Sequence, residues 1–426
     1  MNLRINIDQK EKYEELKYVF ENLCVILGFS PVFTNKEYDV YIGNKNDKYC
    51  KINLNKDKPK LELFFYLLSG QEEKETKERD VHGRFQPRNS IITKKYKLED
   101  PIINDYALYF KKLFENKGFK AKHFWKNNKK YAVLLTHDVD YAVMNKLPSA
   151  IKLFLRFIKS GNMKTLKDIF DVITGKNNYW HFEDYMNLEN SKGFRSAFFF
   201  ATKSNSYLMN FIKRENEVTY NINEKRFKNI IKKLDKEGFE VGLHASYNAY
   251  KSINSFVNEK RTLEKLLGSK IHGLRHHYYH FNPQSTEETW ECHEKAGFEY
   301  DASLAFNEDL GYRRGLAFPF YPYNHEKKKR INLLVFPTSI MDSMLVRKKT
   351  TVKDATRRCI NLIKSVKKKN GLVVLDWHDA DWNTTFLDEV QIKTYINVIN
   401  YLEKDKEAWV STPKELAEWW NKRANF

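Results

Sequence analysis

Residues 131–140, YAVLLTHDVD, decide the fold. Five residues suited to a buried strand, Tyr131 to Leu135, run straight into Thr136, His137, Asp138, Val139 and Asp140. Two carboxylates one residue apart repel each other unless something positive lies between or beside them. The stretch therefore reads as an apolar strand that delivers charged groups to a site, and the positive partner has to come from elsewhere in the chain.

Outward from this stretch, strand and helix alternate. Strand-like runs occur at 131–136, 195–201, 239–243, 271–275, 298–303, 331–336, 371–377 and 407–411. Helical patterns occupy 224–237, 255–268, 285–296, 352–368 and 388–404. Two of those helices stop at Gly238 and Gly297, and a strand begins at once. Alternation at this spacing predicts an α/β fold with a parallel sheet, either a barrel or a doubly wound sheet.

The first residues have a different rhythm. Leu16, Val19, Phe20, Leu23 and Leu27 fall at helical spacing within 8–27. EYDVYIG (37–43) alternates as a half-buried strand does, and LELFFYLL (61–68) reads as a strand or the start of a buried helix. INDYALYFKKLFENKG reads as a helix closed by Gly118. A small α/β module at 1–120 is expected, followed by the strand–helix region at 121–426.

Composition narrows the classes. With 426 residues, 42% hydrophobic and 15% aromatic, the chain has material for a substantial core. The N-terminus is charged from Arg4 onward, and no uncharged apolar run of about 18 residues is present, so a soluble, cytoplasmic protein without a transmembrane segment is expected. Cys24, Cys50, Cys292 and Cys359 form no CxxC pair and read as reduced, structural thiols. Lys and Arg total 74 against 55 Asp and Glu, a net +19. The lysines are scattered, and the short runs at 327–330 and 367–369 lack an aromatic platform, so a solvated face is expected rather than a nucleic-acid partner.

Polar clusters recur at the C-terminal ends of the expected strands. His137, Asp138 and Asp140 end the first; His244 ends 239–243, with Ser246 and Asn248 beyond. Arg275, His276 and His277 end another, Asp301 sits in 298–303, 331–336 leads to Asp342, and His378, Asp379 and Asp381 end 371–377. In β/α barrels these ends converge on one mouth. The composition suits metal-assisted hydrolysis. Asp140 and His244 offer ligands for a divalent cation, which would also offset the repulsion between Asp138 and Asp140. Asp138 is placed to take a proton from water, His378 to protonate a leaving group, and Arg275 to hold Asp138 ionised.

LLTHDVD, EVGLHASYN, GLRHHYYHFN, YDASLAFNEDLGYRRG and VLDWHDADWN, in this order, resemble the polysaccharide deacetylases of the NodB-homology superfamily, over about residues 131–420. The resemblance implies a distorted (β/α) barrel that removes acetyl groups from N-acetylated sugars with a divalent metal, zinc being the expected ion. It implies Asp138 as catalytic base, Asp140 and His244 as metal ligands, Arg275 as the arginine beside the base and His378 as catalytic acid. The segment 64–87 is similar to a module found ahead of the HDVD type of deacetylase domain, with Glu72, Glu73, Arg79 and Asp80 read as a packing cluster.

Two departures stand out. The family's TFDD motif is Thr136-His137-Asp138-Val139-Asp140 here, which displaces the metal aspartate by one. The family's second metal histidine, four residues after the first, is Asn248, a weak zinc ligand; His276, His277, His280 and His137 are further candidates. Asp301, Asp342 and Asp376 compete as partner of His378. His276, His277, Tyr247 and Trp377 are expected to line the substrate site, with Tyr278, Tyr279 and Trp382 available to stack on sugar rings. The rival readings are an inactive glycan-binding barrel and an amide hydrolase of another substrate on the same scaffold. A serine hydrolase is excluded, since no GxSxG elbow occurs.

Overall fold

The structure, a computed structural model, describes residues 1–44, 47, 50–143, 146–161, 163–175, 180–346, 350–379 and 389–424. Asp381 and Trp382 lie outside the described residues.

Near the N-terminus, Leu3, Ile5 and Ile7 alternate inward along β1 (Asn2–Asp8). This strand pairs in parallel with β2 (Ser30–Phe33) and β3 (Val40–Gly43), and β4 (Ile52–Asn53) adds to β3. Parallel neighbours need a crossover. The helix Tyr13–Leu27 supplies it and buries the expected stripe. LELFFYLL belongs to a helix, Lys58–Leu68, in which Leu61, Phe64, Leu67 and Leu68 are buried at helical spacing. The next long helix is Ile102–Glu115.

The larger sheet contains β5 (Tyr131–Val139), β6 (Ala197–Phe200), β7 (Glu240–Ala245), β8 (Gly273–His276) and β9 (Tyr300–Asp301). A short ribbon, β10 (Tyr323–Asn324) and β11 (Lys329–Arg330), stands apart from it. Then come β12 (Leu334–Val335), β13 (Ile340–Met341), β14 (Leu372–His378) and β15 (Ala408–Ser411). The order is β12-β9-β8-β7-β6-β5-β14-β13, with β15 also on β5, and every ladder is parallel. All nine residues of β5 are buried, as a strand covered on both faces requires.

The two edges of this sheet belong to one short segment. Leu334–Val335 pairs with β9 and Ile340–Met341 pairs with β14. Residues 334–341 therefore carry the chain from one edge to the other and close the curled sheet, giving the distorted (β/α) barrel expected from the sequence. Thr338, midway, donates to the Ala302 carbonyl and fixes the crossing. The expected helices appear at Lys225–Lys236, Ile253–Leu267, Thr286–Lys295, Val352–Lys368 and Glu389–Lys404. Among the described residues no helix is long and apolar enough to cross a membrane.

The N-terminal residues pack on the barrel through polar contacts as well as apolar ones. Asn22 accepts from the Tyr321 amide and donates to the Tyr321 carbonyl. Arg423 reaches the Val25 and Ile26 carbonyls that end the first long helix. Glu73 is buried between Arg313 and Arg314, while Glu72 accepts from Ser90 and the Ile91 amide.

Candidate active site

Strand parity assigns each polar residue to a face. Successive side chains along β5 alternate, so Thr136 and Asp138 point into the barrel and His137 points out. His137 lies on Phe198 and faces Glu189 at 2.8 Å and the Trp377 carbonyl at 3.1 Å. In β14, His378 registers with Asp138 and Trp377 with His137. Trp377 consequently lies outside the barrel, against Tyr395, with its ring N–H on the Gln391 carbonyl. On β7 and β8, His244 registers with Arg275 and Ala245 with His276. His276 thus faces outward among Phe256, Phe281 and His293. The structure does not bring His276 or Trp377 to the mouth; two residues adjacent along a strand cannot share a face.

Arg275 organises the barrel floor. Its Nη1 lies 2.9 Å from Asp138 Oδ1 and 2.9 Å from Asp376 Oδ1, and it donates to Thr136 Oγ1. Nε donates to the Ala302 carbonyl, and Nη2 donates to Thr338 on the closing segment. The guanidinium is fully buried and packs over Phe199. Burial raises the Asp376 carboxyl above the ordinary range against the pull of Arg275, and Tyr279 donates its hydroxyl to it. One arginine thus holds two carboxylates, and Asp138 keeps Oδ2 turned toward His244 Nδ1 at 3.9 Å.

A second cluster forms around Asp140. Its Oδ1 lies 3.2 Å from His244 Nε2 and its Oδ2 lies 3.3 Å from His277 Nε2. These three groups offer ligand atoms within 4.8 Å of one another. His244 Nδ1 sits 3.1 Å from the Arg275 carbonyl, so that nitrogen carries the proton and Nε2 presents its lone pair. Asp140 Oδ1 and His244 Nε2 are buried without a hydrogen-bond partner. Two orphaned donor atoms of the right hardness, beside a third, fit a divalent cation. Burial alone would raise the Asp140 carboxyl, but His277 and His244 outweigh it and hold it well below the usual carboxylate range.

Asn248 is not in this cluster. Its side chain donates to Glu215 at 3.1 Å, and His277 stands where a third ligand is needed. His277 follows the last residue of β8, and Tyr278 and Tyr279 take left-handed φ of 60° and 50°. Such conformations are costly for bulky residues. Alternation already places His277 on the face of Arg275, and the bend that follows it turns Tyr279 onto Asp376. His280 points elsewhere, toward the Tyr247 carbonyl and ring.

His378 completes the constellation. Its Nδ1 lies 2.9 Å from Asp342 Oδ1, its amide donates to Asp342 Oδ2, and its Nε2 is 3.6 Å from Asp140 Oδ2. Of the three aspartates in competition, Asp342 is the partner; Asp301 binds Ser303 and faces His293. Burial would lower the His378 imidazolium, yet Asp342 and then Asp140 hold it well above the ordinary histidine range. Asp379, next along, accepts from the Asp140 and Tyr141 amides at 2.9 and 2.8 Å. It pins the turn that aims Asp140, and burial pushes its own carboxyl up to about 7.

Asp138, Asp140, His244, His277, Asp342 and His378 line one cavity of about 310 Å³, with Tyr278, Tyr279, Asn307 and Met341 among its walls. A further wall comes from far away in the sequence. Residues 80–84 form a tight turn in which Asp80 accepts from the His82 and Arg84 amides and from Arg84 Nε. Arg84 Nη1 donates to the Tyr278 carbonyl, and the side chain borders the cavity. Gly83 has φ +71, and a Cβ there would meet Pro283 Cγ at 2.5 Å, so only glycine lets the turn seat on the barrel. His82 Nδ1 bonds Tyr247 OH at 2.8 Å. Tyr247 therefore supports the turn and does not border the cavity. Glu73 and Arg79, expected as packing residues, anchor the same segment: Arg79 donates to the Glu73, Thr76, Glu78 and Pro283 carbonyls.

Residues 60–119 match a family described as "Family of unknown function (DUF7033)". No curated protein matches the chain. Among solved structures, one provisionally assigned as a polysaccharide deacetylase from Mycobacterium smegmatis is 13% identical, with a TM-score of 0.46 over 70% of this chain and 93% of that one. Puue allantoinase is 13% identical, with a TM-score of 0.48 over 72% of this chain and 96% of that one. A second provisional polysaccharide deacetylase, from Pseudomonas aeruginosa PAO1, is 11% identical, with a TM-score of 0.46 over 72% and 97%. Likenesses this distant carry no statement about substrate or chemistry.

Proposed function

We propose that the chain is a metal-dependent hydrolase that removes acetyl groups from N-acetylated sugars of a glycan or glycan precursor. Residues 121–426 form the hydrolytic barrel on this reading, and 1–120 form a module that helps wall its mouth. The observation that carries it is the convergence on one cavity of an arginine-held carboxylate (Asp138), a three-ligand cluster (Asp140, His244, His277) and an aspartate-held imidazole (His378).

A divalent ion such as zinc on Asp140, His244 and His277 would supply Lewis-acid polarisation of the acetamide carbonyl and acidify a water. Asp138 takes the proton of the water that adds to the acetamide carbonyl carbon, acting as general base, and Arg275 fixes its orientation. His378, held by Asp342 through Nδ1, presents Nε2 to give a proton to the departing amine. Asp379 keeps Asp140 turned toward the histidines. With base, acid and both positioning aspartates in place, an enzyme is favoured over a glycan-binding barrel without activity.

Acetate release from N-acetylated oligosaccharides, measured beside metal content, tests the reading. Asp138→Asn is expected to keep the fold and the metal and to lower turnover by about 10²–10⁴-fold. His277→Ala is expected to lose the metal, whereas Asn248→Ala retains it. Wild-type acetate release by Asp138→Asn, or metal loss on changing Asn248 but not His277, would overturn the assignment.

A further inference from the structure

Two helices, Lys146–Ser160 and Lys164–Thr174, follow β5, and a shorter one, Tyr207–Lys213, follows β6. β5 and β6 are paired neighbours whose C-terminal ends face the mouth. The first and third of these helices therefore leave from the rim that carries Asp138 and Asp140, and the second packs against the first.

A helix on a globular protein normally turns its apolar stripe to the core. These do the reverse. Leu147, Ile151, Phe154, Leu155 and Ile158 fall on one stripe of the first helix and are between 52% and 71% exposed. Leu166, Phe170 and Ile173 form the equivalent stripe of the second, at 38% to 57%. On the third, Leu208, Phe211 and Ile212 are 66%, 83% and 62% exposed. Leu153 and Val172, at other positions of the first two helices, are buried where these helices pack against each other. Large apolar stripes turned to water mark an interaction surface.

Charge selects the occupant. Residues 146–174 contain six basic residues, Lys146, Lys152, Arg156, Lys159, Lys164 and Lys167, against two acidic ones, Asp168 and Asp171. A second copy docking through this face would bring two net-positive segments together, whereas an anionic bilayer complements them. At 15 and 11 residues the two longer helices are shorter than the roughly 20 needed to span a bilayer, and helices of this composition lie in the interfacial plane.

We propose that this face docks on an anionic phospholipid bilayer and sets the barrel mouth against the headgroups. The saccharide that reaches Asp138 and His378 is then one carried on a membrane lipid. The docking stands on the exposed stripes and the charge of these segments; only the substrate class rests on the hydrolase reading.

Vesicle co-sedimentation of the full chain tests the docking without any turnover. Binding to phosphatidylcholine vesicles containing about one-third phosphatidylglycerol is expected to be about 100-fold or more tighter than to phosphatidylcholine alone, and to weaken with salt. The variant Leu155→Ser/Phe170→Ser/Phe211→Ser keeps every charge and is expected to lose at least about ten-fold in binding while keeping its circular dichroism. In the wild type, hydrogen exchange across 146–174 and 207–213 is expected to slow on vesicles, a readout that needs no variant. Equal binding to both vesicle types, unchanged exchange, or a lipid-free dimer that buries these helices overturns the proposal. If vesicles bind but no N-acetylated saccharide, free or lipid-linked, is hydrolysed, the docking stands and the hydrolase reading fails.

Discussion

Replacing Glu73 by glutamine removes one charge from a buried three-residue knot. Glu73 Oε2 lies 2.7 Å from Arg313 Nη2, and Oε1 lies 3.2 Å from Arg314 Nε, with all three side chains at most 5% exposed. Arg314 continues to the Leu68 carbonyl and over the Trp290 ring, so it fastens the N-terminal residues to the barrel. Burial would raise the Glu73 carboxyl, but Arg313 and Arg314 outweigh it and hold it at about 2, against an ordinary 4.5. At about 1.4 kcal/mol per pKa unit, that difference is on the order of 3 kcal/mol of stability at neutral pH. The figure agrees with the roughly 3–5 kcal/mol lost when one partner of a buried ion pair is removed.

The sign follows from the depressed carboxyl. Its contribution is present above the unfolded value of 4.5 and is lost as pH falls through about 2. Glu73→Gln is therefore expected to be about 3 kcal/mol less stable than wild type near neutral pH, and the gap narrows to about 1 kcal/mol near pH 3. With about 2.1 cal/mol/K of unfolding entropy per residue, a chain of 426 residues should show a midpoint about 4 °C lower. Urea unfolding followed by tryptophan fluorescence at the two pH values checks this. A variant within about 0.5 kcal/mol of wild type at neutral pH, or a gap that does not shrink on acidification, refutes the reasoning.

Arg84→Met removes a donor at the cavity wall and is expected to raise KM for an N-acetylated oligosaccharide about ten-fold with kcat within about three-fold; an unchanged KM denies the turn a part in binding. Asp342→Asn leaves His378 in place but weakens its hold on the proton, and initial rates of acetate release should fall by about 10²–10⁴-fold with metal content unchanged. Glu240, bonded to Tyr300 OH and the Lys414 amide, is pushed by burial from 4.5 up to about 7. The stability it contributes is present below 4.5 and lost as pH rises through about 7, so Glu240→Gln should flatten a decline of about 3 kcal/mol across that interval in urea titrations.

How much of this was legible in the sequence depends on the range of the signal. The barrel strands show as apolar runs because each is buried on both faces, and their C-terminal ends show as polar clusters because the mouth is the one place where charge is useful. Asp138, Asp140, His244, Arg275 and His378 are legible for that reason; four of them line one cavity, and Arg275 lies buried behind it against Asp138. His276 and Trp377 are misplaced by a reading that stops at clusters, although strand alternation was available: once Arg275 and His378 point inward, their immediate neighbours point out. Asn248 stands where motif spacing expects a ligand. His277 takes that part, and the same alternation selects it, since it lies two residues after Arg275 and on its face.

Arg84 illustrates the opposite limit. It lies in a charged stretch with no strand or helix period, and its partners are the Tyr278 carbonyl, nearly two hundred residues away, and Asp80, four residues before it. The local signal is the DVHGR turn itself. Asp80 bonds amides two and four residues on, and a glycine is required where Pro283 presses in. Such a turn is more rigid than a surface loop needs to be, and rigidity is what a wall of a binding cavity requires. Arg84 already spends Nε and Nη1 on Asp80 and Tyr278, and Asp80 balances its charge. What remains toward the cavity is a fixed donor rather than a free cation, which suits a neutral sugar oxygen better than an acidic group. A substrate series differing only in a carboxylate at the ring that contacts this wall should show no preference for the acid.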